Sequence, residues 1–149
     1  LLIRQQGAED QGRYVFLKDV SRLERLTAVN PKIKGTAIFL TNDSGYWSLS
    51  SGSDSVDAAF RIHEGRALAG ALDWGKAASA GTKSGRKNAI KLSAAYRIGW
   101  TDYSKLPGEK AGVFRYARID VVAGTAHAVT PKDALQQTRA PRSSESARG

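Results

Sequence analysis

The stretch Ile90-Lys91-Leu92-Ser93-Ala94-Ala95-Tyr96-Arg97-Ile98 (residues 90–98) places an apolar side chain at every second position. The intervening positions include Lys91, Ser93 and Arg97. A period of two is typical of a β-strand that turns one face to a core and the other to solvent. We therefore predict a strand within Ala89–Trp100 and expect β-structure to dominate this half of the chain.

Three neighbouring segments have similar strand-like composition, namely Ala59–His63, Ala67–Trp74 and Val113–Val122. Turn-forming residues separate them, at Glu64-Gly65, within Gly81–Asn88 and at Leu106-Pro107-Gly108. Short strands separated by turns favour antiparallel neighbours. The sequence from Ala59 to Val122 therefore predicts an antiparallel meander.

The segment Arg13–Val29 has a helical pattern instead. Phe16, Val20 and Leu23 lie at i, i+4 and i+7, and Leu17 and Leu26 widen the apolar stripe. A helix over this segment should end at the Asn30-Pro31 pair, because the residue before proline is pushed out of the helical region.

After the predicted helix, Thr36-Ala37-Ile38-Phe39-Leu40 is a continuous apolar run, typical of a strand buried in a parallel sheet. Leu1–Ile3 resembles the end of an earlier strand, so a βαβ unit with a shortened first strand is expected. The predicted class is α+β, with a helix packed on a mixed, mostly antiparallel β-sheet. The predicted regions are a partial βαβ core at 1–47, a flexible loop at 48–58, a β-meander region at 59–129, and a short helix with a disordered basic tail at 130–149.

Composition excludes several classes of site. The chain has 149 residues, no cysteine and two histidines, His63 and His127, which excludes disulfides, cysteine-ligated metals and multi-histidine metal sites. It has no long apolar run and no export signal, so we predict a cytoplasmic protein without contact to a membrane. Methionine is also absent, which leads us to expect that Leu1 is not the first residue of the gene product.

The net charge of +9 is concentrated in the middle of the chain, where residues 58–106 hold nine Lys or Arg residues against three acidic ones. Such a field attracts polyanions, of which nucleic acid is the commonest. The loop Gly81–Asn88 is especially basic. The same charges could also serve only to solvate the surface. The candidate phosphate contacts are Lys83, Arg86, Lys87, Lys91 and Arg97.

Three tryptophans offer a second means of binding nucleic acid, because aromatic rings stack on unpaired bases. In a small β-rich domain, tryptophans more often build the core. We expect at least two of Trp47, Trp74 and Trp100 to be core residues.

Four stretches together resemble the second half of the PD-(D/E)XK nuclease core, also called the restriction-endonuclease-like fold. In that family the strand carrying the E-x-K signature is followed by a helix and then by a buried parallel strand. The stretches are Gln6–Tyr14, Phe16–Glu24, Ala37–Asp43 and Tyr46-Trp47. Phe60–Arg66 and Leu92–Trp100 would then form a β-rich appendage.

The resemblance implies that the parent protein is a Mg-dependent DNA endonuclease. Its acidic residue and E-x-K pair, which hold Mg²⁺, have no match in this chain and would precede Leu1. We therefore expect a fragment or degenerate relative that is inactive alone, holds no cofactor or metal, and binds nucleic acid, with DNA favoured. Lys18 and Arg22, on the exposed side of the predicted helix, would face this substrate. The alternatives are a non-enzymatic nucleic-acid-binding module and a structural or interaction domain of a phage or mobile element.

Overall fold

The computed structural model describes residues 9–49 and 55–124. Within these ranges the chain forms a helix α1 (Glu9–Val29), a strand β1 (Lys34–Thr41), a 3₁₀ turn (Ala58–Phe60), and four further strands. The four strands are β2 (Ala67–Leu72), β3 (Ile90–Arg97), β4 (Trp100–Lys105) and β5 (Val113–Val122). The predictions for Leu1–Ile3, for residues 50–54 of the loop, and for residues 125–149 lie outside the described ranges.

The strands form two antiparallel sheets that share the helix. One sheet has the order β1-β5-β4 and the other pairs β2 with β3. Helix α1 packs against β1, β3 and β5, so a single hydrophobic core joins both sheets. The predicted α+β class, with a helix packed on mainly antiparallel strands, is therefore confirmed.

The parallel pairing predicted for residues 36–40 is wrong, because β1 pairs antiparallel with β5. Side chains along β1 alternate between the helix and solvent: Ala37 is buried, whereas Ile38 is 63% exposed. An antiparallel sheet can leave one face in water, so an apolar run does not require burial on both faces.

The helix begins at Glu9, four residues before the predicted start. Gly12 lies within the helix, where the helix meets Tyr46: a Cβ at this position would be 2.5 Å from the Tyr46 hydroxyl oxygen. The glycine is therefore explained by close packing, not by a turn. Leu17 is fully buried as predicted, but Leu26 is 53% exposed. The buried face of the helix also carries polar side chains, among them Ser21 and Glu24.

The alternation over residues 90–98 is confirmed, since Ile90, Leu92, Ala94 and Ile98 are all buried. The predicted single strand Ala89–Trp100 is nevertheless two strands, β3 and β4, which belong to different sheets. β3 pairs with β2, and the bond from Ile98 N–H to the Arg66 carbonyl oxygen extends this pairing by one residue. From Trp100 onward the chain pairs with β5 instead.

Of the first and last segments of the predicted meander, only the last forms a strand. Val113–Val122 is a strand with the predicted bounds. Ala59–His63 is not a strand: its start belongs to a 3₁₀ turn in which Phe60 N–H bonds to the Asp57 carbonyl. The prediction that at least two tryptophans are core residues is confirmed by the buried Trp74 and Trp100.

Candidate functional site

A concave surface between α1 and residues 85–93 carries four basic side chains, and we call it the basic groove. Lys18 and Arg25 line it from the helix, and Lys87 and Lys91 line it from the opposite wall. Its volume is about 450 Å³. Within the described part of the chain, none of these four side chains forms an ion pair. Their charges are therefore available to an anion from solution.

The helix wall follows from helical geometry. Lys18 and Arg25 are seven residues apart, so they lie on one face of α1 about 10 Å apart along its axis. The Lys18 ammonium lies 6.0 Å from the centre of the Tyr14 ring, within the range of a cation–π contact. Since Tyr14 is buried, the stem of Lys18 packs over the rim of the core.

The opposite wall is fixed by two side-chain hydrogen bonds to the loop backbone. Trp74 Nε1 donates to the Arg86 carbonyl oxygen at 2.7 Å, and the Tyr14 hydroxyl donates to the Asn88 carbonyl oxygen at 2.8 Å. Burial raises the pKa of the Tyr14 hydroxyl, which keeps it a donor. The peptide unit before Lys87 and the one after Asn88 are thus both anchored, so Lys87 lies between two fixed points of the loop backbone.

The floor of the groove contains the carboxylate of Glu24, which is 8% exposed. Its oxygens accept hydrogen bonds from the backbone N–H groups of Ser93 and Ala94, at 2.8 and 2.9 Å, and from the Tyr96 hydroxyl at 2.8 Å. Burial, followed by the hydrogen bond to Glu24, raises the pKa of Tyr96.

The backbone N–H groups of Ser93 and Ala94 can bond to Glu24 because a β-bulge in β3 removes them from the ladder with β2. Leu68 and Gly70 of β2 are two residues apart, but their partners on β3, Tyr96 and Leu92, are four apart. The extra residues of a bulge leave the ladder, and their amides need other acceptors. Glu24 supplies those acceptors, so its carboxylate oxygens are engaged in hydrogen bonds within the fold. The groove therefore has four positive side chains and one negative side chain among its described lining residues.

The structure brings together only part of the predicted site. Lys18, Lys87 and Lys91 line the basic groove, and Arg25 is an additional member that the sequence analysis did not select. Its position seven residues after Lys18 is the signal that could have identified it. The remaining predicted residues, which do not line the groove, are Lys83, Arg86, Arg22 and Arg97.

Arg22 and Arg97 have other contacts, away from the groove. Arg22 pairs with Asp19 at 2.7 Å and lines a separate cavity beside β1. Arg97 donates to the Gly65 carbonyl oxygen at 3.2 Å, at the far end of β3 from Lys91.

A second charged cluster lies around Arg13, which is 6% exposed. Its guanidinium pairs with Asp57 and with Glu9, donates to the Gly45 carbonyl oxygen at 2.9 Å, and lies 5.1 Å from the centre of the Tyr46 ring. These partners occupy both terminal nitrogens of the guanidinium. The cluster therefore ties the start of α1 to the turns that follow β1 and precede the 3₁₀ turn.

Two titratable groups in this region are shifted in the same direction. Burial opposes ionisation of Asp57, but hydrogen bonds from Ser55 and Arg13 and the nearby positive charges outweigh it and lower its pKa. Burial also lowers the pKa of His63, and the charges of Arg66, Arg61 and Arg13 lower it further.

The described residues contain no group of three His, Cys, Asp or Glu side chains that could hold a metal ion. In the same ranges, no helix has both the length and the hydropathy needed to cross a bilayer.

Comparison with protein-family models, with curated proteins and with solved structures finds no match to this chain. The predicted relationship to PD-(D/E)XK nucleases thus depends only on the residues that suggested it.

Proposed function

We propose that this chain binds nucleic acid through phosphate contacts in the basic groove. The observation that carries the proposal is that four basic residues, from α1 on one side and from the β2–β3 loop and β3 on the other, meet on one concave surface. They are Lys18, Arg25, Lys87 and Lys91. Lysine and arginine contacts to phosphate supply most of the sequence-independent affinity of nucleic-acid-binding proteins. A net charge of +9 adds long-range attraction for the same ligand.

The groove differs from two arginines of the three-stranded sheet, whose charges are paired with carboxylates. Arg115 pairs with Asp102 at 2.7 Å, and Arg118 pairs with Asp120 at 2.9 Å. These pairs partly neutralise the three-stranded sheet. Among the described residues that line the groove, Glu24 is the one with a carboxylate, and three donors within the fold already bond to it.

The hydrogen bonds that fix the backbone of the loop between β2 and β3 also support the proposal. A mobile basic loop would lose conformational entropy on binding. The bonds from Trp74 and Tyr14 restrict the backbone around Lys87 before any ligand arrives. We therefore favour a binding role over a purely solvating role for these charges.

The nuclease parentage implied by the resemblance stays a prediction. Its Mg²⁺ ligands would have to come from outside the described residues. Binding to phosphates through basic side chains requires none of these metal ligands. A structural or interaction domain is the outcome that would remain if binding failed.

A salt titration tests the proposal. Fluorescence anisotropy would measure the affinity of the wild type for a labelled oligonucleotide at several salt concentrations. It would also measure a groove variant with Lys18→Gln, Lys87→Gln and Lys91→Gln. We expect the variant to bind more weakly and its log–log salt slope to fall by about two to three, since each lost phosphate contact removes about 0.7–0.9.

A matched control removes the same charge elsewhere. Lys34, Lys105 and Lys110 are exposed and lie outside the groove, so Lys34→Gln, Lys105→Gln and Lys110→Gln together leave the net charge equal to that of the groove variant. We expect this control to retain most of the affinity and slope. Equal losses in both variants would show that only the overall charge matters and would refute a groove site.

A further inference from the structure

The two walls of the basic groove are joined at its floor. Ser21 Oγ donates to the Lys91 carbonyl oxygen at 3.0 Å, and Glu24 accepts from Ser93 N–H at 2.8 Å. Because side chains of α1 bond directly to the backbone of β3, the walls cannot move apart without breaking these bonds. The groove therefore keeps its width.

The basic side chains form one row along each wall. Lys18 and Arg25 lie two helical turns apart on α1, and Lys87 and Lys91 lie four residues apart on the opposite wall. A linear polyanion lying along the groove would meet positive charge on both sides. A single sugar–phosphate backbone has this form.

On the basis of the proposed function, we infer that the basic groove takes one unpaired strand of nucleic acid by its backbone, in preference to a duplex. Positively charged grooves that follow one backbone are the usual electrostatic component of single-strand binding. A volume of about 450 Å³ suits a short length of one strand.

The position of the helix argues against a duplex. Helix α1 packs against β1, β3 and β5, so its groove-facing side is recessed beside the wall formed by residues 85–93. A duplex could bring only the outside of one backbone to the rim.

Among its described lining residues, the groove also offers no free ring for base stacking. Tyr14 lines it, but this residue is 3% exposed, its ring stacks on Trp74 at 5.5 Å, and its hydroxyl bonds to Asn88. Contacts should therefore be to phosphates, and the affinity should depend little on base sequence.

The test compares a labelled oligothymidylate with a blunt mixed-sequence duplex of equal length, at one salt concentration, for the wild type and for the groove variant. We expect the wild type to bind the single strand at least about tenfold more tightly, which corresponds to 1.4 kcal/mol. The groove variant should lose this preference. The control with Lys34→Gln, Lys105→Gln and Lys110→Gln should keep it.

The outcomes separate this inference from the proposed function. If the duplex binds as tightly as the single strand and the groove variant weakens both, the groove is a nucleic-acid site and the single-strand inference is overturned. If neither ligand binds the wild type at low salt, the proposed function itself is refuted. Equal melting midpoints of the three proteins would show that folding does not explain the differences.

Discussion

Trp74 Nε1 lies 2.7 Å from the carbonyl oxygen of Arg86, and this hydrogen bond closes the loop between β2 and β3 onto the core. The indole ring packs against Phe60 with a centroid distance of 4.7 Å and stacks on Tyr14. A buried aromatic residue thus has two roles, since its ring fills the core and its N–H positions the wall of the basic groove.

Replacing this donor tests whether the anchored loop matters for binding. Trp74→Phe keeps an aromatic ring but leaves the Arg86 carbonyl without its partner, which should cost about 0.5–1.5 kcal/mol of unfolding free energy. We expect faster amide hydrogen exchange around Lys87 and a several-fold weaker affinity for the oligothymidylate. Hydrogen-exchange mass spectrometry and anisotropy would measure the two effects.

Trp100→Phe is the matched control for this prediction. Trp100 Nε1 donates to the Ile62 carbonyl oxygen, also at 2.7 Å, but neither residue lines the groove. This variant should lose similar stability while keeping its affinity. If both variants lost affinity equally, the loop anchor would have no specific role in binding.

The carboxylate of Glu24 is predicted to be necessary for the bulge in β3. In Glu24→Gln the amide group offers one oxygen in place of two, so Ser93 N–H or Ala94 N–H must lose its acceptor. An unsatisfied buried donor costs about 1–3 kcal/mol. Urea denaturation should show that loss in Glu24→Gln and a smaller one in Tyr96→Phe, which removes a donor and leaves the backbone bonds intact.

An unchanged urea midpoint for Glu24→Gln would contradict this account. It would mean that the bulge amides find other acceptors, and that the short distances to Glu24 contribute little to stability.

Acid should destabilise the fold in two steps, of which His63 accounts for the first. Its pKa is lowered in the folded state, so the unfolded chain binds the proton more readily. Stability is therefore full above the unfolded value of about 6.5 and decreases as the pH falls below it. Thermal melting from pH 8 to pH 5 should show this decrease in the wild type and a smaller one in His63→Gln.

Asp57 accounts for the second step, at lower pH. Its folded pKa is also lowered, but here the charged form is favoured by Arg13, so stability is present above the unfolded pKa of 3.8 and is lost as the pH falls through the folded value. Asp57→Asn should be less stable than the wild type at pH 7, because it leaves Arg13 without its buried partner. The two proteins should converge in stability below pH 4. A constant difference across the range would refute the ionic contribution.

A strand could be predicted where its alternating pattern of apolar and polar residues is contained in consecutive residues. The period of two in β3 identifies both the strand and its buried face from consecutive residues. The division between β3 and β4 was not predictable, because it depends on their pairing with different strands, β2 and β5, and these partners are visible only in the folded chain.

The candidate site was only partly predictable for the same reason. Composition and loop residues identified Lys87 and Lys91, and the helical pattern placed Lys18 on the surface. The groove exists because polar side chains on α1 bond to β3 about 70 residues later. Sequence periodicity treats Ser21 and Glu24 as surface residues, since their partners are visible only in the folded chain.

The register of α1 can be tested with three leucines that the sequence pattern placed on one stripe. Leu17 is fully buried, Leu23 is partly buried against the core, and Leu26 is 53% exposed. Leu17→Ala should cost about 2–5 kcal/mol, since it removes buried methyl groups and leaves a cavity. Leu26→Ala should stay within about 0.5 kcal/mol of the wild type, because its side chain is mostly in solvent. Leu23→Ala should fall between these two in urea denaturation, and a loss at Leu26 as large as that at Leu17 would mean that the helix is rotated relative to the sheets.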